Sequence, residues 1–277
     1  MSPAPARPGP AGAGRDGPPE GALEGPLAAA ARAEGVGSVA DVLDRAEYVR
    51  DLPQRSNHVL RLAGCVLHVK RAKPRGFLRR VPREDPEARG LARLAAAGIP
   101  CAQALLWGRD RRLGTLVATA DLAPARPLDA LLAEGWSPPG GPGALAGALA
   151  GLAARLHDAG LHHRDLYLNH LYADPAAGAG ALRLVLIDAE RVGRHRARLG
   201  RRVRKDLACL LASGPAAWWE PARAAQLVEN YLAGRRLPAG LGARLLPRLL
   251  RKAARIRGRT PRTPVGEAAR PRPGGTP

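Results

Sequence analysis

The sequence predicts an α+β fold of two lobes, a small strand-rich N-terminal lobe and a larger helical C-terminal one. Two observations predict it. Apolar runs with β-branched residues and turn signals fall before residue 121, whereas beyond it Leu and Ala recur at helical spacing. The length of 277 residues suits one large domain or two lobes around a cleft. An apolar share of 45% is enough for a core, but only 3% of residues are aromatic, so Leu, Ala and Val must fill it. The expected organisation is a disordered lead over residues 1–26, an N-lobe over 27–121, a C-lobe over 122–257 and a disordered basic tail over 258–277.

Taken in order, the lead is Pro, Gly and Ala, with no apolar signal core. A short helical stretch is expected over 27–43. Residues 59–62 and 65–70 flank Ala63-Gly64 and read as a hairpin. A basic loop covers 71–83. Asp85 then suits a helix cap and Pro86 the first turn of a helix that runs to Ala97 and stops at Gly98. Residues 113–120 read as a strand and 128–133 as a short helix. The run Pro138-Pro139-Gly140-Gly141-Pro142-Gly143 breaks the chain before a helix on Leu145, Leu149, Leu152 and Leu156. Residues 182–187 read as a buried strand ending at Asp188. From residue 222 onward Leu alternates with Arg at helical spacing.

Several function classes drop out. No stretch approaches the roughly 20 apolar residues of a membrane span. Cys65, Cys101 and Cys209 are odd in number and share no metal-like spacing, so a reducing cytoplasm is the expected location. The net charge of +20 accompanies an Arg-rich, Ala-rich and Gly-rich composition, without zinc-ligand pairs or aromatic sheet signatures, so nucleic acid is not expected as the main partner. An anionic substrate or an anionic membrane surface uses the same charge more economically.

Two carboxylates carry the chemistry. Phosphoryl transfer needs one to orient the attacking hydroxyl and accept its proton, and another to hold magnesium against nucleotide phosphates. Asp165, on an irregular segment after a long helix, and Asp188, at a strand end, supply such a pair. An isolated Asp after a helix is ordinarily a turn former. The tetrad His163-Arg164-Asp165-Leu166 changes that reading, because it matches the opening of a kinase catalytic loop. His170, five residues after Asp165, falls where a second metal or phosphate contact is usually found. Lys70 ends an apolar strand and can reach nucleotide phosphates; Glu87, on the next helix, can pair with it. Alone, either would be an ordinary solvated charge.

These residues resemble the bacterial lipopolysaccharide core kinases, the Kdo and heptose kinases of the protein-kinase-like superfamily. The run His163-Arg164-Asp165-Leu166-Tyr167-Leu168-Asn169-His170 looks like their catalytic loop, with His in place of the usual kinase Asn. Ile187-Asp188 with Arg191 resembles their metal-binding motif, and Lys205-Asp206-Leu207 a further signature in the helical lobe. The likeness covers residues 52–213. It departs from protein kinases in three places. No Gly-x-Gly-x-x-Gly loop is present, so Arg55, Ser56 or backbone must cover the phosphates. Ala189-Glu190 follows Asp188, and small residues at 175–180 suggest a surface turn.

The resemblance implies a protein-kinase-like fold and an ATP- and Mg2+-dependent phosphotransferase acting on a sugar hydroxyl of the lipopolysaccharide inner core or a related anionic glycolipid. In it, Asp165 is catalytic, Lys70 and Glu87 bind nucleotide, and Asp188 with His170 holds metal. A protein phosphotransferase and a catalytically silent kinase-fold module stay open as alternatives. Arg191, Arg194 and Arg196 head a basic segment over 191–205 where such enzymes face their acceptor, and are expected to bind an anionic sugar. A C-terminal stripe of Leu241, Leu245, Leu246, Leu249, Leu250, Ala253 and Ile256 beside several Arg either packs on the lobe or rests peripherally on the anionic inner face of the inner membrane. The oligomeric state is not legible.

Overall fold

The computed structural model describes residues 20–74, 80–178 and 182–259. Most of the expected disordered lead and tail, part of the basic loop over 71–83, and residues 179–181 beside the small-residue turn lie outside the described residues. Within them the protein is a two-lobe α+β structure.

The N-lobe is built from β1 (Leu23–Glu24), α1 (Ala28–Ala33), α2 (Val39–Arg45), β2 (Glu47–Leu52), β3 (Arg55–Leu62), β4 (Cys65–Ala72), α3 (Pro86–Ala96), β5 (Ala104–Asp110) and β6 (Gly114–Ala120). The strands form one antiparallel sheet in the order β1-β5-β6-β4-β3-β2. The β3–β4 hairpin turns at Ala63 and Gly64, whose φ of +50° and +70° is the left-handed pair that a tight two-residue turn requires. Alternation then sorts the side chains. Leu60, Leu62, Leu67 and Val69 enter the N-lobe core with Val39 and Val42 of α2. Asn57 pairs with Lys70, and Lys70 with Val117, on the opposite face, towards the C-lobe.

Two sequence expectations need correction here. The stretch over 27–43 is two helices, because Gly35 turns left-handed and Ser38 starts a new helix with a capping box. Ser38 Oγ accepts from the Asp41 amide at 3.2 Å, and Asp41 Oδ2 accepts from the Ser38 amide at 2.9 Å. The lead is ordered earlier than residue 26, since Leu23 and Glu24 pair with Gly108 and Trp107 and Leu23 is buried. Strands β2 and β5 carried too weak an alternation to be read. The edge strand β2 is exposed up to the half-buried Leu52 and contains a register shift between Tyr48 and Arg50, which blunts it against further pairing.

The C-lobe holds β7 (Arg126–Pro127), α4 (Leu128–Ala133), α5 (Gly141–Asp158), β8 (Leu161–His162), β9 (Leu171–Ala173), β10 (Val185–Leu186), β11 (Gly193–Arg194), α6 (Arg201–Ala212), α7 (Pro221–Gly234) and α8 (Gly242–Arg257). The anticipated strand over 182–187 pairs only through Val185 and Leu186. The Leu and Ala spacing of α5 buries Leu145, Leu149, Leu152 and Leu156 against α7, while Leu249 and Ala253 of α8 complete the same core. The C-terminal stripe therefore packs on the lobe.

Helix α3 belongs to both lobes. Asp85 caps it, its Oδ1 accepting from the Glu87 and Ala88 amides at 2.9 and 3.1 Å, and Asp85 Oδ2 accepts from Thr115 Oγ1 of β6 at 2.6 Å. Yet Leu91 and Leu94 lie in the C-lobe core. The stretch after α3 also joins the C-lobe: the Ala102 amide donates to the Leu186 carbonyl at 2.8 Å and the Leu186 amide to the Pro100 carbonyl at 3.0 Å.

Candidate active site

Lys70 comes off the cleft face of β4, Glu87 off the first turn of α3, and Asp188 off the turn after β10. Lys70 Nζ donates to Glu87 Oε1 at 2.8 Å and to Asp188 Oδ1 at 3.0 Å. One ammonium thus ties together three segments from both lobes. Burial opposes its charge, but the two carboxylates outweigh burial and raise the Lys70 pKa. Burial likewise disfavours ionised Asp188, and the Lys70 ammonium, by its charge and its hydrogen bond, reverses that to hold it below the usual carboxylate range. Glu87 is buried deeper, and there desolvation wins, pushing its carboxyl up to about 7 against the pull of Lys70. Asp188 itself sits at φ +57°, an uncommon conformation for a residue with a side chain, which turns the chain sharply so that the carboxylate enters the cleft.

The approach of α3 to this turn depends on a missing side chain. A Cβ on Gly90 would lie 2.0 Å from the Ala189 carbonyl oxygen, so only glycine lets the helix come this close. Glu87 is one turn earlier on the same helix.

Asp165 lies across the cleft, on the loop between β8 and β9. Its Oδ2 accepts from Arg191 Nη1 at 2.9 Å, and its Oδ1 from the same nitrogen and from Lys205 Nζ, both at 3.1 Å. The loop is held from beneath by Asp206 of α6, which is fully buried and accepts from the His163 and Arg164 amides, each at 2.7 Å. Arg164 is at φ +73°, and these two bonds hold the backbone through that strained residue. Asp206 also takes a bond from His157 Nε2 at 3.2 Å, and His157 Nδ1 meets the Tyr231 hydroxyl at 2.9 Å. Burial penalises the Asp206 charge, but these donors hold its pKa below the ordinary value. A buried carboxylate is thereby satisfied on both oxygens, as a low-dielectric interior demands.

His170 shows how a cation would fit. Its Nδ1 lies 2.8 Å from the Asp165 carbonyl oxygen, a partner that can only accept, so Nδ1 carries the hydrogen. In the neutral ring Nε2 then turns its lone pair towards Asp188 Oδ2, 3.4 Å away. Two electron-rich atoms facing one another across the cleft suit a divalent ion between them. Among the described residues no group of three or more His, Cys, Asp or Glu could close a metal site. Magnesium does not require one, since it is commonly held by one or two protein groups, waters and substrate phosphates.

The sequence reading missed parts of this arrangement. Lys205 and Asp206 were visible only as a signature without a role, because Lys205 reaches Asp165 and Asp206 its loop over about forty residues of chain. Of the two residues offered for covering phosphates, Arg55 lies on the Lys70 face of β3 and lines a small cavity with Lys70 and Glu87. Ser56 is on the opposite face, buried and bonded to His58. Among the three arginines expected to bind substrate, Arg191 is engaged with Asp165. Arg194 is exposed in β11, and Arg196 is exposed beyond it.

Comparison with known proteins bears on the same residues. A family model described as the lipopolysaccharide kinase (Kdo/WaaP) family matches residues 54–231. The lipopolysaccharide core heptose(I) kinase WaaP of Pseudomonas aeruginosa is 32% identical over 137 residues, covering 46% of this chain and 51% of that protein. The chain thus matches about half the length of this curated relative. A solved structure of WaaP in complex with acyl carrier protein superposes with a TM-score of 0.67 at 24% identity, over 84% of this chain and 98% of that one. The PknI kinase domain of Mycobacterium tuberculosis is more remote, with a TM-score of 0.41 and 15% identity over 73% of this chain and 94% of that one.

Proposed function

The chain belongs to the lipopolysaccharide kinase (Kdo/WaaP) family, and from that premise we propose that it transfers the γ-phosphoryl group of ATP to a sugar hydroxyl of the lipopolysaccharide inner core or a related anionic glycolipid. The observation that carries the proposal is the Lys70 ammonium bonded to both Glu87 and Asp188 across the cleft. That arrangement supports a nucleotide-phosphate site, with Arg55 as a second cation. Asp188 and His170 would hold magnesium, which supplies charge neutralisation at the phosphates.

Asp165 receives the acceptor hydroxyl. A carboxylate offers about four lone-pair directions, and Arg191 and Lys205 use three, which leaves one on Oδ2 for the acceptor. As the hydroxyl oxygen bonds to the γ-phosphorus, the bond to the bridging oxygen breaks, ADP departs and the proton passes to Asp165. Arg191 and Lys205 orient the carboxylate during this step. An ATP-consuming enzyme of this kind works on the cytoplasmic side, peripherally to the inner membrane where such glycolipids reside. Since the related WaaP was solved with acyl carrier protein, that protein is also proposed as a partner here, to be sought by co-purification.

The decisive experiment is Mg2+-ATP turnover with a phosphorylated core oligosaccharide, comparing wild type with Asp165→Asn. Loss of the proton acceptor should lower kcat by roughly a hundredfold to ten-thousandfold. Equal inactivity of both towards glycans and proteins would mark a silent binding module, and preferential labelling of protein would mark the protein-kinase alternative.

A further inference from the structure

Helices α6 and α8, packed against each other beside the catalytic loop, line a cavity of about 830 Å³. Its walls are cationic. Arg201 and Arg204 come from α6, and Arg248, Arg251, Lys252 and Arg255 from α8, where their spacing puts them on one face of the helix. Among the described residues no Asp or Glu lines the cavity and none of these six side chains forms an ion pair. Like charges gathered in a concavity repel one another, and the Lys252 ammonium records it, its pKa lowered by burial and by Arg201 and Arg204. Such an arrangement disfavours the empty protein and is offset when an anion enters.

The cavity is also continuous with the chemistry. Lys205 lines it while its Nζ holds Asp165 Oδ1 at 3.1 Å, and Arg164, next to Asp165, lines it as well. We propose that this cavity binds two or more phosphate or carboxylate groups of the acceptor, so that the anionic neighbours of the reacting sugar seat it against Asp165. The identity of the bound molecule as acceptor rests on the phosphotransferase reading; the anion site does not. Its volume suits a small ligand. Guanidinium groups match phosphate and carboxylate in bidentate pairs. A membrane surface fits less well, because Leu245, Leu249 and Ala253 of α8 are buried in the lobe, Leu246 and Ile256 are half-buried, and Leu250 is the one large apolar side chain the helix leaves exposed among the described residues. Nucleic acid fits less well too, because no aromatic side chain lines the walls for bases to stack on. The site lies away from the exposed Arg194 and Arg196, which line none of it.

The test uses the full chain and inorganic tripolyphosphate, titrated calorimetrically at physiological salt without nucleotide or Mg2+. The variant Arg251→Gln/Lys252→Gln/Arg255→Gln should bind at least about tenfold more weakly, since each lost cation leaves phosphate charge unpaired. A control that removes the same charge elsewhere, Arg50→Gln/Arg61→Gln/Arg89→Gln, should change binding by less than about twofold, as screened surface charges do. Equal losses in both variants, or none in the first, overturn the site. In turnover assays the first variant should raise the KM for a phosphorylated acceptor about tenfold, with the KM for ATP and kcat unchanged, and should leave a dephosphorylated acceptor unaffected. If the wild type turns over no ATP at all, the kinase reading fails while the tripolyphosphate titration still judges the cavity. Binding to phosphatidylglycerol vesicles that the first variant loses, without tripolyphosphate binding, would make this a membrane contact and overturn the proposal.

Discussion

At the scale of single residues, the cleft assigns each carboxylate by its neighbours. Asp165 is surrounded by donors that leave an acceptor position open, Asp188 faces an imidazole lone pair, and Glu87 has only enough charge nearby to steady one ammonium. His170 has the most specific consequence. A nitrogen ligand favours borderline metals over magnesium, whereas an amide oxygen in its place favours the hard ion. His170→Asn should therefore lower the ratio of Mn2+-supported to Mg2+-supported kcat/KM by about tenfold. A ratio unchanged in steady-state assays would rule out the proposed metal role of His170. These residues were legible before any coordinates, since Lys70, Glu87, Asp165, His170 and Asp188 occur in an order and at intervals that few other arrangements share. Asp206 was not legible as a support. A carboxylate one place after a lysine on an Arg-rich helix gives no sign that it is fully buried beneath two loop amides.

Among the elements, α3 shows how a local sequence can be read correctly and its packing still be missed. Asp85, Pro86 and Gly98 marked its ends, because caps and breakers act over a few residues. Nothing local says that its apolar side joins the C-lobe core, or that Gly90 rests on the Ala189 carbonyl. Gly90→Ala tests that contact. The added methyl must displace backbone, at a cost of roughly 1–3 kcal/mol of stability, and should lift α3 away from the Asp188 turn. The KM for ATP should rise several-fold as the Lys70–Glu87 bond lengthens. Urea unfolding and steady-state kinetics on one preparation measure both effects, and an unperturbed variant would show that the helix has room. Helix α6 is the converse case: its first five residues were read as part of a basic segment facing the acceptor, since Arg201, Arg202, Arg204 and Lys205 mask the buried Val203, Asp206, Leu207 and Leu210.

For the whole molecule, the buried histidines set how it answers to acid. Burial lowers the pKa of His157, His162 and His163 below the ordinary 6.5, that of His162 to about 4. The unfolded chain therefore binds protons that the folded chain refuses, and their stabilisation, complete above pH 6.5, is lost as pH falls from 6.5 towards 4. Glu87 acts oppositely between pH 4.5 and 7, where the folded chain keeps a proton that the unfolded chain has released. Three histidines outweigh one glutamate, so the unfolding free energy from urea titrations should fall between pH 7 and pH 5, by about 1.4 kcal/mol per pH unit for each net proton. His162→Asn should flatten that slope by about one proton; an unfolding free energy indifferent to pH would mean that the histidines are not held neutral. The bonds from Pro100 and Ala102 to Leu186, with Leu91 and Leu94 below them, carry a mechanical consequence. They weld α3 to the lower body, so the sheet is the part left to swing. The Thr115 hydroxyl ties β6 to Asp85, and Lys70 pairs with Val117 only two residues along β6, so opening of the cleft would part Lys70 from Glu87 and Asp188 together, and under the proposed function a nucleotide gripping Lys70 would oppose that opening.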